Sequence, residues 1–370
     1  MAPVICELKR QDSIFEQVVV ATAQHREMLD QALSLFGITP DIDLELMEPD
    51  QDLISFASRS LLSLSDLFTA VNPDAVLIQG DTTTVMTAAL AAAYKAVFVG
   101  HVEAGLRSFD RNEPFPEEIN RRIAGCLADV HFAPTQRAKQ NLLREGVAEE
   151  RILVTGNTIV DALRSIPLDG PFECAALNQI DFDSRRVILV TAHRRENHGD
   201  PLRSICRALK AIVERFDDVE IVYPVHLNPN VDSVVRDELA RVNRVHLIEP
   251  VSYQDLLRLM DRSYLILTDS GGIQEEAPSF GKPVLVLRRV TERPEVIEVG
   301  AGKLVGTDSA RIVEQTAMLL RSRAEYQRMS NAENPFGDGY AAERIVYVLA
   351  QWFIGTCDDE RATAASAADQ

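Results

Sequence analysis

No apolar run in this 370-residue sequence is long enough to cross a bilayer, and no charged-then-apolar segment of the secretory kind opens it. The expectation is a cytoplasmic protein with no membrane partner. Positive charge is scarce: 38 Lys and Arg face 56 Asp and Glu, a formal net charge of −18. Such a surface repels nucleic acid and anionic lipid alike. It still leaves room for a small anion gripped by a local cluster of Arg, His and helix N-termini. Cysteine is sparse and scattered, at Cys6, Cys126, Cys174, Cys206 and Cys357, an odd count with no CxxC pair. Isolated buried thiols in a reducing compartment are expected, in place of disulfides or a metal site. No GxxxxGK[ST], HExxH or GxSxG occurs. His101-Val102-Glu103 has the HxE of zinc deaminases, but no PCxxC follows it. Gly300, Gly302 and Gly306 are wrongly spaced for GxGxxG, and no typical strand precedes them. The sequence therefore predicts no metal, no cofactor and no acyl-enzyme.

What the chain does have is alternation. Short apolar runs trade places with longer segments of helical period, the pattern of βα units and a parallel sheet. Strands are predicted at Val18–Ala21, Ala75–Ile78, Val97–Val99, Val130–Phe132 and Ile152–Val154. Helices are predicted at Arg26–Phe36, Asp52–Thr69, Thr83–Tyr94, Glu117–Leu127 and Gln136–Arg144. The stretch Pro167–Ser184 holds Pro, Gly and Asp without a period, as a connection does. The alternation then restarts, with strands at Val187–Val190, Val219–Val222, Val245–Ile248, Tyr264–Leu267 and Pro283–Leu287. This predicts an α/β protein of two Rossmann-like domains with parallel sheets. Residues 1–166 form the first and a closing helix at 341–355 joins it. Residues 167–340 form the second, and the polar, Ala-rich 358–370 is a disordered tail.

Open α/β sheets bind ligands beyond the carboxyl ends of their strands, and these ends are unusually polar here. In the second half, Asp269-Ser270-Gly271-Gly272 leads from a strand into a helix carrying Glu276. Two glycines let a ligand approach the backbone, and the helix start offers free N–H groups to a phosphate. Ser270 adds a hydroxyl, and Glu276 is placed to take two ribose hydroxyls. The plain alternative is a helix start capped by Asp269 or Ser270. His193 and Arg194 follow one strand, His226 another and Arg293 a third. Charge-assisted donors of that kind suit a diphosphate.

In the first half, Asp81 and Glu103 follow strands expected to be neighbours, and Glu117 begins a helix. Several carboxylates opposite a diphosphate site point to proton transfer on a bound sugar. Capping is the competing explanation for Asp81 and Glu117.

These motifs closely resemble the non-hydrolysing UDP-N-acetylglucosamine 2-epimerases. The likeness rests on GDTTT (Gly80–Thr84), HVEAGLRS (His101–Ser108), PEEINR (Pro116–Arg121), TAHRREN (Thr191–Asn197) and YPVHLNP (Tyr223–Pro229). AQHREMLDQ (Ala23–Gln31), GNTIVDAL (Gly156–Leu163) and the long run from Asp269 to Arg288 extend it to about Phe353. The resemblance implies glycosyltransferase-B-like architecture with the active site in the cleft between domains. It implies reversible interconversion of UDP-N-acetylglucosamine and UDP-N-acetylmannosamine, by anti elimination of UDP and re-addition through 2-acetamidoglucal. Asp81, Glu103 and Glu117 would be the acid/base groups, and His193 would hold the departing diphosphate. Ser270, Gly271, Gly272, Glu276, Arg293, Arg194 and His226 would bind substrate. Bacterial members are activated by UDP-N-acetylglucosamine, which implies allosteric residues at Gln24, Arg26 and Glu27, with His226. The family is commonly homodimeric.

The family opens on a strand and loop reading GTRPEAIK, whereas this sequence starts at Met1-Ala2-Pro3-Val4. A first strand is central in a doubly wound sheet, so the chain as written is expected to be poorly stable and weakly active. Two other functions share the UDP site: a glycosyltransferase-B-type UDP-sugar transferase, and a non-catalytic UDP-sugar-binding protein. The three first-half carboxylates favour the epimerase.

Overall fold

The computed structural model describes residues 1–22, 33–48 and 51–368. They divide into two compact units, Met1–Ser165 with Phe336–Gln370, and Ile166–Pro335.

Helix α1 (Ala2–Arg10) opens the first unit with proline in its first turn, where a missing N–H costs nothing. Strands β1 (Val20–Ala21) and β2 (Ile42–Asp43) pair in parallel as a two-stranded sheet. After α2 (Leu53–Val71) comes a four-stranded parallel sheet, β3 (Ala75–Gln79), β4 (Phe98–Val102), β5 (Val130–Ala133) and β6 (Ile152–Val154), in that spatial order. Its connections are α3 (Thr83–Tyr94), α4 (Glu117–Leu127) and α5 (Gln136–Arg144), and α6 (Thr158–Ser165) follows. Asp52, Thr82 and Thr135 cap α2, α3 and α5 by accepting first-turn amides. Among the described residues β3 has a ladder partner, β4, on one side only.

Strand β4 runs three residues beyond its predicted end at Val99. Gly100 is what allows this, because a Cβ there would come within 2.6 Å of Leu77 Cδ2 on β3. The strand therefore delivers Glu103 directly at its carboxyl end.

The second unit is one six-stranded parallel sheet in the order β12-β11-β10-β7-β8-β9. Its strands and helices alternate: β7 (Arg186–Thr191), α7 (Asp200–Arg215), β8 (Val219–Pro224), α8 (Pro229–Leu239), β9 (Val245–Ile248), α9 (Tyr253–Arg262) and β10 (Leu265–Thr268). Then come α10 (Gly271–Glu276), β11 (Val284–Val286), α11 (Pro294–Glu298), β12 (Gly302–Leu304), α12 (Ser309–Arg321) and α13 (Arg323–Ser330). Ile188, Val190, Leu209, Ile221, Tyr223, Leu267 and Leu285 are among the residues of a continuous buried core. The glycine-rich 300–306 segment, which shows no strand signal in sequence, contains β12.

Helix α14 (Ala341–Ala368) returns the chain to the first unit. Its Ile345, Val346 and Leu349 pack with Val4, Val102 and Phe132. The helix extends to Ala368. No helix of the described residues is long and apolar enough to cross a membrane.

Candidate functional site

In the first unit, the β3–β4 ladder pairs Gln79 with Val102, so Gly80-Asp81 and Glu103 leave the sheet side by side. The Gly80 N–H donates to the Val102 carbonyl at 3.1 Å. A Cβ on Gly80 would lie 3.8 Å from Glu103 Oε2. Glu103 has φ of 62°, a left-handed conformation that costs a non-glycine residue about 1–2 kcal/mol and persists only where the surroundings enforce it. Gln79 Nε2 donates to Glu103 Oε2 at 3.3 Å.

Asp81 is clamped from α4. Asn120 Nδ2 donates to its carbonyl at 3.0 Å, and the Arg121 guanidinium pairs with its carboxylate. Glu117, the first residue of α4, lies within about one turn of both clamps. Its Oε2 is buried without a hydrogen-bond partner. The adjacent Glu118 is the structural one. It is wholly buried and accepts the Ser108 and Phe109 amides at 2.9 and 3.2 Å, with Arg121 and Arg122 at 3.3 and 2.9 Å. His101 Nε2 donates to the Gly80 carbonyl at 2.8 Å. Burial pushes its pKa down to about 4, the Gly80 bond opposing, so the ring is neutral and braces the Asp81 turn.

In the second unit, β7 and β10 are neighbours, with Thr191 opposite Thr268. The loops after them meet at Asp269, which is wholly buried. Its carboxylate accepts the His193 N–H at 2.9 Å, the Arg194 N–H at 2.9 Å and Asn197 Nδ2 at 2.9 Å. His193 Nδ1 lies 3.8 Å from Asp269 Oδ1, and its ring stacks on that of His226 at 5.3 Å and 21°. Burial lowers the His193 pKa; Asp269 opposes that shift, while His226, Arg194 and His198 add to it. His226 is exposed, and its Nδ1 accepts the Asn228 N–H at 3.0 Å.

Arg194 Nη2 lies 3.6 Å from where a Cβ on Gly271 would sit, and a Cβ on Gly272 would meet only Ser270 Oγ, at 4.0 Å. The protein's own packing thus does not require glycine at 272; the space in front of it is open. Ser270 occupies the N-cap position but makes no side-chain cap bond, and Asp269 is engaged with the 193–197 loop, so neither residue acts as the simple cap. Glu276 is buried and accepts the Tyr253 hydroxyl at 2.8 Å. Burial raises its carboxyl to about 7, the tyrosine bond opposing and Glu275 adding. Arg293 follows β11 as predicted, but its guanidinium pairs with Glu275.

The structure thus brings Asp81 and Glu103 together, with Glu117 on the helix that clamps Asp81. It separately gathers His193, Arg194, His226, Ser270, Gly271 and Gly272. Gln24, Arg26 and Glu27 lie outside the described residues. Asp269, Glu118, His101 and Tyr253 carry the site's internal bonding, a role that local sequence pattern does not assign them. The available signal is an acid inside an otherwise apolar or motif-bound stretch, as in Asp269 directly after Leu265–Thr268.

Parallel sheets with polar residues gathered at their carboxyl edges define a Rossmann-like α/β protein, and its structural neighbours are glycosyltransferase-B-like. The sequence model of the family described as UDP-N-acetylglucosamine 2-epimerase matches residues 7–350. The chain is 51% identical over 355 residues to the UDP-N-acetylglucosamine 2-epimerase of Escherichia coli (strain K12), covering 94% of each. It is 50% identical over 349 residues to that of Bacillus subtilis (strain 168), covering 94% of this chain and 91% of that one. The crystal structure of UDP-GlcNAc 2-epimerase from Neisseria meningitidis bound to UDP-GlcNAc is similar at a TM-score of 0.83 and 46% identity, covering 95% of this chain and 96% of that one. The chain belongs to the UDP-N-acetylglucosamine 2-epimerases of the non-hydrolysing bacterial type, a family of isomerases.

Proposed function

We propose that this chain interconverts UDP-N-acetylglucosamine and UDP-N-acetylmannosamine by elimination and re-addition of UDP. No carbonyl acidifies the hydrogen on carbon 2, so departure of the diphosphate leads and carbon 1 gains oxocarbenium character. A carboxylate takes the carbon 2 proton, the C1–O bond breaks anti to it, and 2-acetamidoglucal and UDP form. Re-addition of UDP to carbon 1, with protonation of carbon 2 on the opposite face, gives the epimer. Two faces need two proton-handling groups, and Asp81, Glu103 and Glu117 supply them. His193 and Arg194 hold the diphosphate with Ser270, Gly271 and Gly272. Glu276 takes the ribose, with Arg293 and His226 completing the substrate contacts. The proposal includes activation by substrate at Gln24, Arg26 and Glu27 with His226, in a homodimeric cytoplasmic enzyme.

The observation that carries this is charge placement. On a chain of net charge −18, Arg194 stands beside an open glycine helix start, and the His193 next to it in sequence stacks on His226. The Asp269 carboxylate beneath that loop accepts three N–H donors, and Glu196 of the loop is paired with Arg288. A diphosphate supplies the missing negative charge.

The test is incubation with UDP-N-acetylglucosamine in D2O without any acceptor. Deuterium at carbon 2 of both epimers is expected. UDP release with no deuterium in recovered substrate, or no reaction at all, would overturn the proposal.

A further inference from the structure

Asp269 is assigned no role by the chemistry above, yet it is the most heavily bonded acid of the second unit's strand ends. Two amides and one side-chain amide converge on its carboxylate. The loop it holds is tied down further. Tyr223 Oη donates to the Ala192 carbonyl at 2.6 Å, Asn197 Nδ2 reaches the Leu287 carbonyl at 3.1 Å, and Arg288 Nε pairs with Glu196 at 2.7 Å. Loop position alone needs no buried charge, since neutral acceptors would satisfy those amides. A carboxylate does one thing a neutral acceptor does not: it places negative charge beside an imidazole.

We propose that Asp269 is a positioning residue for His193, holding its backbone and favouring the tautomer that carries the proton on Nδ1. This rests on His193 facing the diphosphate, as proposed above. The carboxylate lies 3.8 Å from Nδ1, so a proton there faces negative charge and Nε2 is the ring nitrogen left for ligand. In the neutral ring Nε2 has no proton. When a diphosphate binds, the ring takes a proton from solvent at Nε2, and the imidazolium then donates to a phosphate oxygen while Asp269 balances its charge. The other groups facing the ring, His226 from the loop after β8 and Arg194 and His198 from its own loop, all disfavour that proton. Asp269 is the counterweight, together with the arriving phosphate.

The experiment is nitrogen NMR on the full chain with 15N-labelled histidine, free and saturated with UDP, the His193 signals being assigned by their loss in His193→Asn. The expected result is the Nδ1–H tautomer in the free protein and an imidazolium on adding UDP. In Asp269→Asn the ring is expected to revert to Nε2–H, with kcat falling on the order of 10²-fold or more. An Nε2–H tautomer in the unaltered protein overturns the proposal. So does an Asp269→Asn variant that loses stability while the tautomer of its folded fraction is unchanged. If Asp269→Asn does not fold, the unaltered protein's tautomer decides alone. Because the tautomer is read without turnover, a chain that shows it but washes no deuterium into carbon 2 would fail as an epimerase and not on this point.

Discussion

Glu276 is buried with Tyr253 as its hydrogen-bond partner, and burial raises its carboxyl to about 7. An unfolded glutamate titrates at about 4.3, so the folded value is the higher of the two. The stability this group lends is therefore complete below about 4.3 and is lost as pH rises towards and through 7. Ligand binding runs the other way, because only the ionised carboxylate accepts from two ribose hydroxyls. Affinity for uridine, which has no phosphate to titrate, is expected to weaken below pH 7 by up to about tenfold per unit. Tyr253→Phe removes the bond that opposes the shift and should move the transition to higher pH, while Glu276→Gln should flatten it. Calorimetric titration between pH 5.5 and 8 checks this, and a flat uridine affinity in the unaltered protein counts against a ribose contact at Glu276. At this scale the sequence shows which strand ends are polar, and Asp81, Glu103 and His193 do stand just beyond strand ends. It does not show which acids are consumed by the protein itself. Asp269 has the signature of a cap and is a buried hub, and Glu275, which carries no signal of its own, pairs with Arg293. Such pairings join residues far apart in the chain, which local pattern does not encode.

Helix α4 carries two adjacent glutamates with opposite bonding, and that difference is testable within one element. Glu118 is wholly buried with two amides and two guanidinium partners. Removing one partner of a buried ion pair costs about 3–5 kcal/mol, so Glu118→Ala should lower unfolding free energy by roughly that much. Glu117 has a buried oxygen with no partner, so Glu117→Gln should leave the denaturation midpoint unchanged or raised. Its kcat should nonetheless fall by on the order of 10²-fold or more. Equal losses of stability in the two variants would show that Glu117 is structural. The helices and strands themselves are largely legible: Thr83–Tyr94, Glu117–Leu127 and Gln136–Arg144 match their predicted bounds. The elements that escape are those whose local signal is weak. β2 has only two residues, β12 begins on glycine, and α1 places Pro3 in its first turn. β4 is longer than predicted because burial against β3 and β5, not apolar content, carries it through Gly100 and His101.

The two units differ in how the chain builds them. Ile166–Pro335 is one uninterrupted segment enclosing its own six-stranded sheet and core. The other unit is split, since Val4, Val102 and Phe132 are covered by Ile345, Val346 and Leu349 from α14. A fragment of residues 166–335 is of ordinary domain size and keeps its six-stranded sheet and buried core, so it should unfold cooperatively. A fragment ending at Ser165 exposes that apolar face and should not fold on its own. If His193, Arg194 and the 270–272 turn bind the diphosphate, the 166–335 fragment should also bind UDP. Saturation at one hundred times Kd stabilises a protein by about 2.7 kcal/mol, which for this size raises Tm by roughly 5–10 °C. It should wash no deuterium into carbon 2, because Asp81, Glu103 and Glu117 are on the other unit. Scanning calorimetry of the fragment with and without UDP measures both properties at once. A cooperative transition that UDP leaves unmoved would mean the diphosphate is held elsewhere, and a fragment that exchanges carbon 2 would remove the acid/base role from the first unit's carboxylates.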